Sequence, residues 1–308
     1  MRQTSSRWTI LALLCLSSVV FLGKSYETTL QALDSAEYAR LALEASRTPL
    51  HLPIAQGTLG PGHWEHGFNE QPATLLILNG FIMRALGPSA WSARLLPGLF
   101  SVGCVLLTYL IGTLLFTEAF GALAGFALAL TPEFIGYGAR FHLDTPFIFF
   151  ILLSFVGFIQ RRFWLTSIAA ALGLWIKSPV SFLIYPAAAL SLTMTRSFTA
   201  KERRWLLKSL VAALCVGAVV WIFTGLFGSW NLVTDYWQRQ VFGTAVGGRG
   251  QSISAWVFAE ILLKRYWPWL PFLAYSLFWI LKNRAWKKNA GCTSSLWRTD
   301  HRRCHLVD

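Results

Sequence analysis

A succession of apolar segments is the feature that most limits what this chain can fold into. The segments cover residues 9–23, 72–86, 95–116, 120–137, 145–160, 163–176, 179–194, 205–227 and 266–281. Several approach the roughly 20 residues that an α-helix needs to cross a bilayer. Hydrophobic residues make up 55% of the chain and charged residues 13%. Because a water-soluble domain could not bury so much apolar surface, the sequence predicts an all-α, polytopic integral membrane protein.

Basic residues mark the ends of these segments. The chain carries a formal net charge of +13, a value that would also suit a nucleic-acid-binding protein. Its lysines and arginines cluster instead beside the apolar segments, at Arg2, Arg7, Arg161, Arg162, 196–208 and 282–288. Membrane proteins keep such basic flanks on the cytoplasmic side. We therefore expect the membrane, and no nucleic acid, to be the partner of these charges.

The basic flanks also predict a topology. Five apolar segments precede Arg161 and Arg162, and five crossings would place this pair outside the cell. Segment 72–86 is short and begins with proline, so we expect it to lie in the outer interface of the membrane. Eight crossings then remain, with both termini cytoplasmic. Four polar elements face outwards in this arrangement: the large first loop 24–71, the turn 140–144, Lys177 and the loop 228–259.

The ends of the chain and its five cysteines add further expectations. Segment 9–23 resembles a signal peptide, but no small-x-small cleavage site precedes Lys24, which predicts an uncleaved signal anchor. We interpret residues 1–288 as one membrane-embedded domain. Residues 289–308 form a polar tail without periodicity, as truncation of a longer protein would leave. The cysteines show neither a disulfide framework nor zinc-ligand spacing.

The first outer loop contains an acidic residue that could serve structure or chemistry. Asp34 begins a run that is typical of a capped amphipathic helix, with Glu37 three residues later as in a capping box. The helix would lie on the bilayer through an apolar side formed by Leu33, Ala36, Leu41 and Leu43. Asp34 is therefore either a helix cap or a reactive carboxylate facing the outer surface, and the residues alone leave both interpretations open.

Five short motifs occur along the chain in a definite order. They are Asp34 with Tyr38 and Ala39, Asn-Glu-Gln-Pro at 69–72, Ser-Ala-Arg-Leu-Leu-Pro at 92–97, Arg-Phe-His-Leu-Asp at 140–144 and Ile-Lys-Ser-Pro at 176–179. Together they resemble glycosyltransferase family 39, which contains the protein O-mannosyltransferases and the lipid A aminoarabinose transferase and belongs to the GT-C superfamily of integral membrane enzymes. Their order and spacing carry the resemblance, which extends over residues 9–281.

The resemblance implies a GT-C-type helical bundle and a specific reaction. A sugar would pass from a polyprenyl-phosphate donor to a lipid or protein acceptor on the outer face of a bacterial inner membrane. Asp34 matches the catalytic base of the family, which takes a proton from the acceptor hydroxyl. A single displacement of this kind would invert the anomeric centre, by analogy with inverting glycosidases. We expect Arg140 and Lys177 to bind the donor phosphate, with Asp144 either orienting Arg140 or capping the following helix.

A second acidic residue and two histidines complete the candidate site. Glu70 matches the acidic residue of the family's Glu-Lys-Pro motif, but Gln71 stands here in place of the lysine. One cationic contact to the donor phosphate is therefore missing or supplied elsewhere. His63 and His66 could bind a divalent metal together with Glu70. The alternative is an ordinary polar loop without metal, because the three residues lack a standard ligand spacing.

Two other classes of function remain open at this point. A transporter or flippase would place charged or broken helices near the middle of the bilayer, whereas the ionisable residues here cluster at the outer ends of the apolar segments. An inactive family member acting as a subunit would fit the replacement at Gln71. The sequence names neither the sugar nor the acceptor.

Overall fold

The computed structural model describes residues 2–23, 33–47, 54–57, 64–67, 71–194, 198–243, 255–266, 269–271, 274–275 and 278. Twelve α-helices account for most of these residues, in agreement with the predicted all-α architecture. They are α1 (Arg2–Gly23), α2 (Leu33–Arg47), α3 (Thr74–Leu86), α4 (Ala90–Leu115), α5 (Glu118–Ala129), α6 (Pro132–Gly138), α7 (Asp144–Ile159), α8 (Phe163–Ile176), α9 (Ile184–Met194), α10 (Ala200–Phe227), α11 (Trp230–Asp235) and α12 (Ala255–Arg265).

Two further helical segments and a small β-hairpin accompany the α-helices. A 3₁₀ helix, Pro179–Leu183, leads into α9, and a π-helical segment, Tyr236–Phe242, follows α11. The first loop contains two strands that the sequence did not predict, β1 (Ile54–Gly57) and β2 (Trp64–Gly67). They pair antiparallel, with Ile54 opposite Gly67 and Gly57 opposite Trp64. This small hairpin is the only sheet in the described part of the chain.

Several helices have the length and composition of membrane-embedded segments. Among the described residues, α4 and α10 are long and apolar enough to cross a membrane, and the pair α5 and α6 would be a third crossing if counted as one bent span. Shorter apolar helices cover Arg7–Gly23, Thr74–Leu86, Asp144–Ile159, Phe163–Ile176 and Pro179–Met194. Helix α3, with 13 residues, is only about 20 Å long. The assignment of 72–86 to the interface and the count of eight crossings stay predictions.

The predicted segment 120–137 is broken into two helices. Helices α5 and α6 meet at an angle of 64°, because Pro132 occupies the beginning of α6. A proline has no N–H to donate and its ring clashes with the carbonyl four residues earlier, so one helix cannot run through it. Thr131 compensates in part, since its hydroxyl donates to the carbonyl of Ala127 at 2.7 Å. The break directs the chain into the turn 139–143.

Helices α7 and α8 form an antiparallel hairpin with a tight connection. Arg161 adopts a left-handed conformation with φ of 56°. Its N–H donates to Phe158 at 3.1 Å, and the N–H of Arg162 donates to Gly157 at 2.8 Å, which together make a Schellman motif. The start of α7 and the end of α8 therefore lie at the same end of the hairpin, and the two arginines lie at the other.

The chain divides into two compact units. The first comprises Met1–Phe182 and Val211–Gln251, and the second comprises Leu183–Leu210 and Ser252–Asp308. In the first unit, a core cluster joins α2, α3, α4, the turn 139–143 and the end of α8 through fully buried residues such as Leu41, Leu75, Ala93 and Phe141. This cluster fixes α2, the turn 139–143 and the end of α8 relative to one another.

Candidate functional site

Asp34 lies in the first turn of α2 and is exposed. A carboxylate is favourable there because the first N–H groups of a helix carry partial positive charge. The predicted capping box is wrong: the helix already begins at Leu33, and both carboxylate oxygens of Glu37 accept hydrogen bonds from Arg40, at 2.6 and 3.0 Å. Glu37 is thus held by a neighbour on the same helix, and the carboxylate of Asp34 is directed to solvent.

Helix α2 packs on protein through a face that differs from the predicted one. Ala36 is exposed, whereas Leu41 is fully buried in the protein core, so the expectation that both would lie against the bilayer is wrong. The buried stripe consists largely of small residues, namely Ser35, Ala39, Ala42 and Ala45. Small side chains allow helices to approach closely. Asp34 is therefore held in place by the packing of α2 against α3 and against the turn 139–143.

The turn 139–143 carries alternating buried and exposed side chains. Phe141 and Leu143 are 0% and 2% exposed and anchor the turn in the core, where the ring of Phe141 meets the ring of Tyr38 from α2 at 6.2 Å. Arg140, in contrast, is exposed. Its guanidinium forms no hydrogen bond or ion pair with any residue that the structure describes, so its planar fork is available to a ligand.

His142 belongs to the same turn as Arg140, and sequence analysis assigned it no role. It is 8% exposed, and its ring packs against Tyr137 with 5.3 Å between ring centres. Burial lowers the pKa of His142 below its ordinary value, and the positive charges of Arg140 and Lys177 act in the same direction. Asp144 and Asp34 oppose this change of the pKa. Because such effects act over short distances, Asp34, Arg140, Asp144 and Lys177 all lie near this imidazole.

Asp144 and Lys177 form an ion pair across the open end of the α7–α8 hairpin. The carboxylate thus contacts Lys177, not Arg140 as one interpretation expected. The other interpretation, a helix cap, is displaced by one residue, since α7 begins at Asp144 and Leu143 occupies the cap position. The two side chains are 39% and 30% exposed. Such a pair contributes under about 1 kcal/mol to stability, and its effect is to fix the position of the ammonium group.

Tyr236 holds Lys177 from a distant part of the chain. Its hydroxyl donates to the backbone carbonyl of Lys177 at 2.6 Å. The ring is 2% exposed and lies in the π-helical segment that follows α11. Sequence reasoning placed Tyr236 in the outer loop 228–259 but gave it no role. The 59 positions between the two residues leave no local pattern that could have revealed the contact.

The remaining predicted site residues lie in the first loop. His63 and Glu70 fall outside the described residues, and His66 lies in β2 opposite Ala55. In the described part of the chain, no three His, Cys, Asp or Glu side chains come together as metal ligands. The divalent-metal site stays a prediction, as does the role of Glu70. Gln71 is half-buried, and its side-chain oxygen has no hydrogen-bond partner among the residues described.

Comparison with known proteins gives a structural and a family assignment. The fold is similar to the crystal structure of ArnT from Cupriavidus metallidurans bound to undecaprenyl phosphate, with a TM-score of 0.69 and 14% identity. The match covers 89% of this chain and 51% of that chain, so this chain spans about half the length of the solved structure. At this identity the match establishes the fold, and the predicted GT-C-type membrane bundle is confirmed. Comparison with curated proteins gives no significant match.

The family follows from the sequence between Glu70 and Phe223. Residues 70–223 match the family model for dolichyl-phosphate-mannose-protein mannosyltransferases. Because this match covers half of the 308 residues, the chain belongs to that family, as the five motifs predicted. The matched region includes Arg140, His142, Asp144 and Lys177 and ends before Tyr236. Asp34 lies before it.

Proposed function

We propose that this protein transfers a sugar from a polyprenyl-phosphate donor to the hydroxyl of a lipid or protein acceptor on the outer face of the membrane. The observation that carries the proposal is that the Asp144–Lys177 ion pair lies in the same part of the fold as Asp34 and Arg140, because one core cluster joins α2, the turn 139–143 and the end of α8. An exposed carboxylate beside two partly accessible cations offers both a proton acceptor and a binding site for a phosphate. Family membership supports the same reaction class.

Asp34 acts as the general base in this proposal. Its carboxylate accepts the proton of the acceptor hydroxyl while the hydroxyl oxygen bonds to the anomeric carbon of the sugar. The bond from that carbon to the donor phosphate oxygen breaks, and the lipid phosphate leaves with its electron pair. One displacement inverts the anomeric configuration. A positioned base of this kind accelerates a reaction by roughly 10²–10⁴-fold.

Lys177 and Arg140 stabilise the departing phosphate. Lys177 presents a point charge whose position is fixed by the ion pair with Asp144, and Arg140 presents a planar fork that suits phosphate oxygens. The charge that develops on the leaving group is thereby neutralised without a proton donor. Arg140 also supplies the kind of cationic contact that Gln71 cannot.

The α7–α8 hairpin supports a location of the site at the outer face of the membrane. Asp144 and Lys177 lie at one end of it, and Arg161 and Arg162 lie at the other end, roughly 24 Å away along the 16 residues of α7. If the arginine pair is cytoplasmic, then the site faces the outside. We infer an inner-membrane protein whose active site faces the periplasm.

A second candidate function is that of an inactive subunit in a complex with active relatives. The neutral Gln71, with its unpartnered side-chain oxygen, favours it over a transporter. In the described helices the site charges lie at helix ends and in a turn, whereas a transporter would need them near the middle of the bilayer.

Reconstituted transfer distinguishes these functions. Purified wild-type protein in lipid nanodiscs is incubated with polyprenyl-phosphate sugars that carry a radiolabel on the sugar, and released polyprenyl phosphate and labelled acceptor are measured. We expect turnover by the wild type and a loss of at least about 100-fold in Asp34→Asn, because the base is removed. Glu37→Gln is the matched control, since its carboxylate on the same helix pairs with Arg40, and it should retain activity. Turnover by Asp34→Asn at the wild-type rate removes Asp34 from the mechanism.

A further inference from the structure

Tyr236 makes the one described hydrogen bond between a side chain and the backbone of Lys177. Lys177 follows the last turn of α8, and its backbone has left the helix, with φ of −147° and ψ of −56°. Its N–H still donates to Gly173 at 3.1 Å. Its carbonyl oxygen accepts the hydroxyl of Tyr236 at 2.6 Å, a short distance for this kind of bond. The backbone of Lys177 is therefore held by hydrogen bonds at both its N–H and its carbonyl group.

The ring of Tyr236 is clamped by two tryptophans. Trp221 from α10 lies 4.5 Å away, and Trp237 meets it edge-on at 5.9 Å. A third indole, from Trp175 in α8, donates to the carbonyls of Val216 and Gly217 in α10, each at 3.2 Å. These contacts tie the end of α8 to α10 and to the segment after α11. A tyrosine packed this firmly can direct its hydroxyl to one acceptor.

The hydroxyl remains a donor over the whole physiological range. Burial raises the pKa of Tyr236 well above its ordinary value, because the charged phenolate would lose its hydration. Its hydrogen bond to Lys177 therefore does not depend on pH. The short π-helical segment that carries Tyr236 fits a functional interpretation, since such segments occur frequently at functional sites.

We propose that Tyr236 is a positioning residue, which fixes the backbone of Lys177 so that its ammonium group stays beside Asp144 and faces the donor phosphate. This inference rests on the proposed function for the nature of the ligand. The inference that Tyr236 fixes the position of Lys177 is independent of the proposed function, because it concerns the protein without substrate. A purely structural tyrosine would stabilise the fold without changing how Lys177 behaves.

The first test measures Lys177 directly and needs no substrate. Tyr236→Phe keeps the ring and removes the hydroxyl. We expect the rate of acylation of Lys177 by a soluble amine-reactive ester, followed by mass spectrometry of the purified full chain, to rise severalfold. Tyr185→Phe is the matched control, because Tyr185 is 6% exposed and its hydroxyl also bonds a backbone carbonyl, that of Ser209 at 3.0 Å. It should leave the acylation rate of Lys177 unchanged.

The second test measures the donor. In the transfer assay, Tyr236→Phe should lower kcat/KM for the polyprenyl-phosphate sugar by about fivefold, mainly through kcat, because Lys177 acts on the charge that develops on the leaving phosphate; this is the size expected from one lost hydrogen bond. In a Lys177→Gln background the same substitution should add nothing, since the group being positioned is gone. An effect of equal size in both backgrounds, or a Tyr236→Phe protein recovered unfolded, overturns the proposal in favour of a structural role.

The two tests distinguish a failure of the positioning role from a failure of the proposed function. Faster acylation of Lys177 without any transfer by the wild type supports the positioning role and removes the proposed function. Transfer by the wild type with unchanged acylation and unchanged kcat/KM in Tyr236→Phe keeps the function and removes the positioning role.

Discussion

At the scale of single residues, the site contains a histidine, His142, whose ring makes no hydrogen bond within the described residues. His142 is 8% exposed. A neutral imidazole offers one donor and one acceptor, so the ring of His142 can bind a hydroxyl of a ligand.

The lowered pKa of His142 predicts a dependence of stability on pH. The ordinary value is 6.5 and the folded value lies below it, mainly because of burial. The unfolded chain therefore binds a proton more readily than the folded chain, so the free energy of unfolding falls as the pH drops below about 6.5 and is unaffected above it. We expect His142→Gln to lose less stability than the wild type between pH 7.5 and pH 5, measured by thermal unfolding in detergent. Identical pH dependence in the two proteins would contradict this account of the imidazole.

Sequence could indicate the site residues but not their contacts. Asp34, Arg140, Asp144 and Lys177 follow from motifs, because each motif keeps its residue type and local spacing. The partners follow from tertiary packing: Asp144 meets Lys177 only because α7 and α8 fold back on each other. Tyr236 reaches Lys177 across 59 positions, and no local pattern encodes such a contact.

At the scale of elements, apolar patterns located the helices well and their ends less well. The segment 95–116 corresponds to α4, which begins earlier, at Ala90, because Ser89 and Ser92 form a capping box. A hydrophobic pattern cannot detect the first turn of a helix when that turn is capped by polar residues such as these. The segment 120–137 is apolar throughout, but Pro132 divides it. Hydropathy reports where a helix can be buried, while caps and prolines decide where it begins and ends.

The contact between α4 and α5 depends on glycine and predicts a cost for a single methyl group. A Cβ added at Gly112 would lie 2.7 Å from the Cα of Gly121, so the two backbones would have to separate. We expect Gly112→Ala to lower the stability by about 1–3 kcal/mol, observed as a lower Tm in detergent. Gly136→Ala is the control, since a Cβ there meets nothing within 4 Å. Equal Tm values for the two variants would show that α4 and α5 are not packed this closely.

At the scale of the whole molecule, the central claim is that the site faces away from the cytoplasm. The α7–α8 hairpin separates Arg140 and Asp144 from Arg161 and Arg162 by the length of a helix. In the proposed reaction, acceptor, lipid carrier and base meet at the end of this hairpin that carries Asp144 and Lys177, and that end is the outer one. Family membership and fold make the protein a membrane-embedded member of the mannosyltransferase family. The proposed transfer reaction additionally requires that the site faces outwards.

Labelling of single cysteines in intact bacterial spheroplasts tests this claim most directly. The five native cysteines are first replaced, and cysteine is then introduced by Arg140→Cys or by Arg162→Cys, both at exposed positions. We predict that a membrane-impermeant maleimide labels the Arg140→Cys protein in intact spheroplasts and labels the Arg162→Cys protein only after permeabilisation. The reverse pattern would put Asp34, His142 and Lys177 in the cytoplasm and contradict the account.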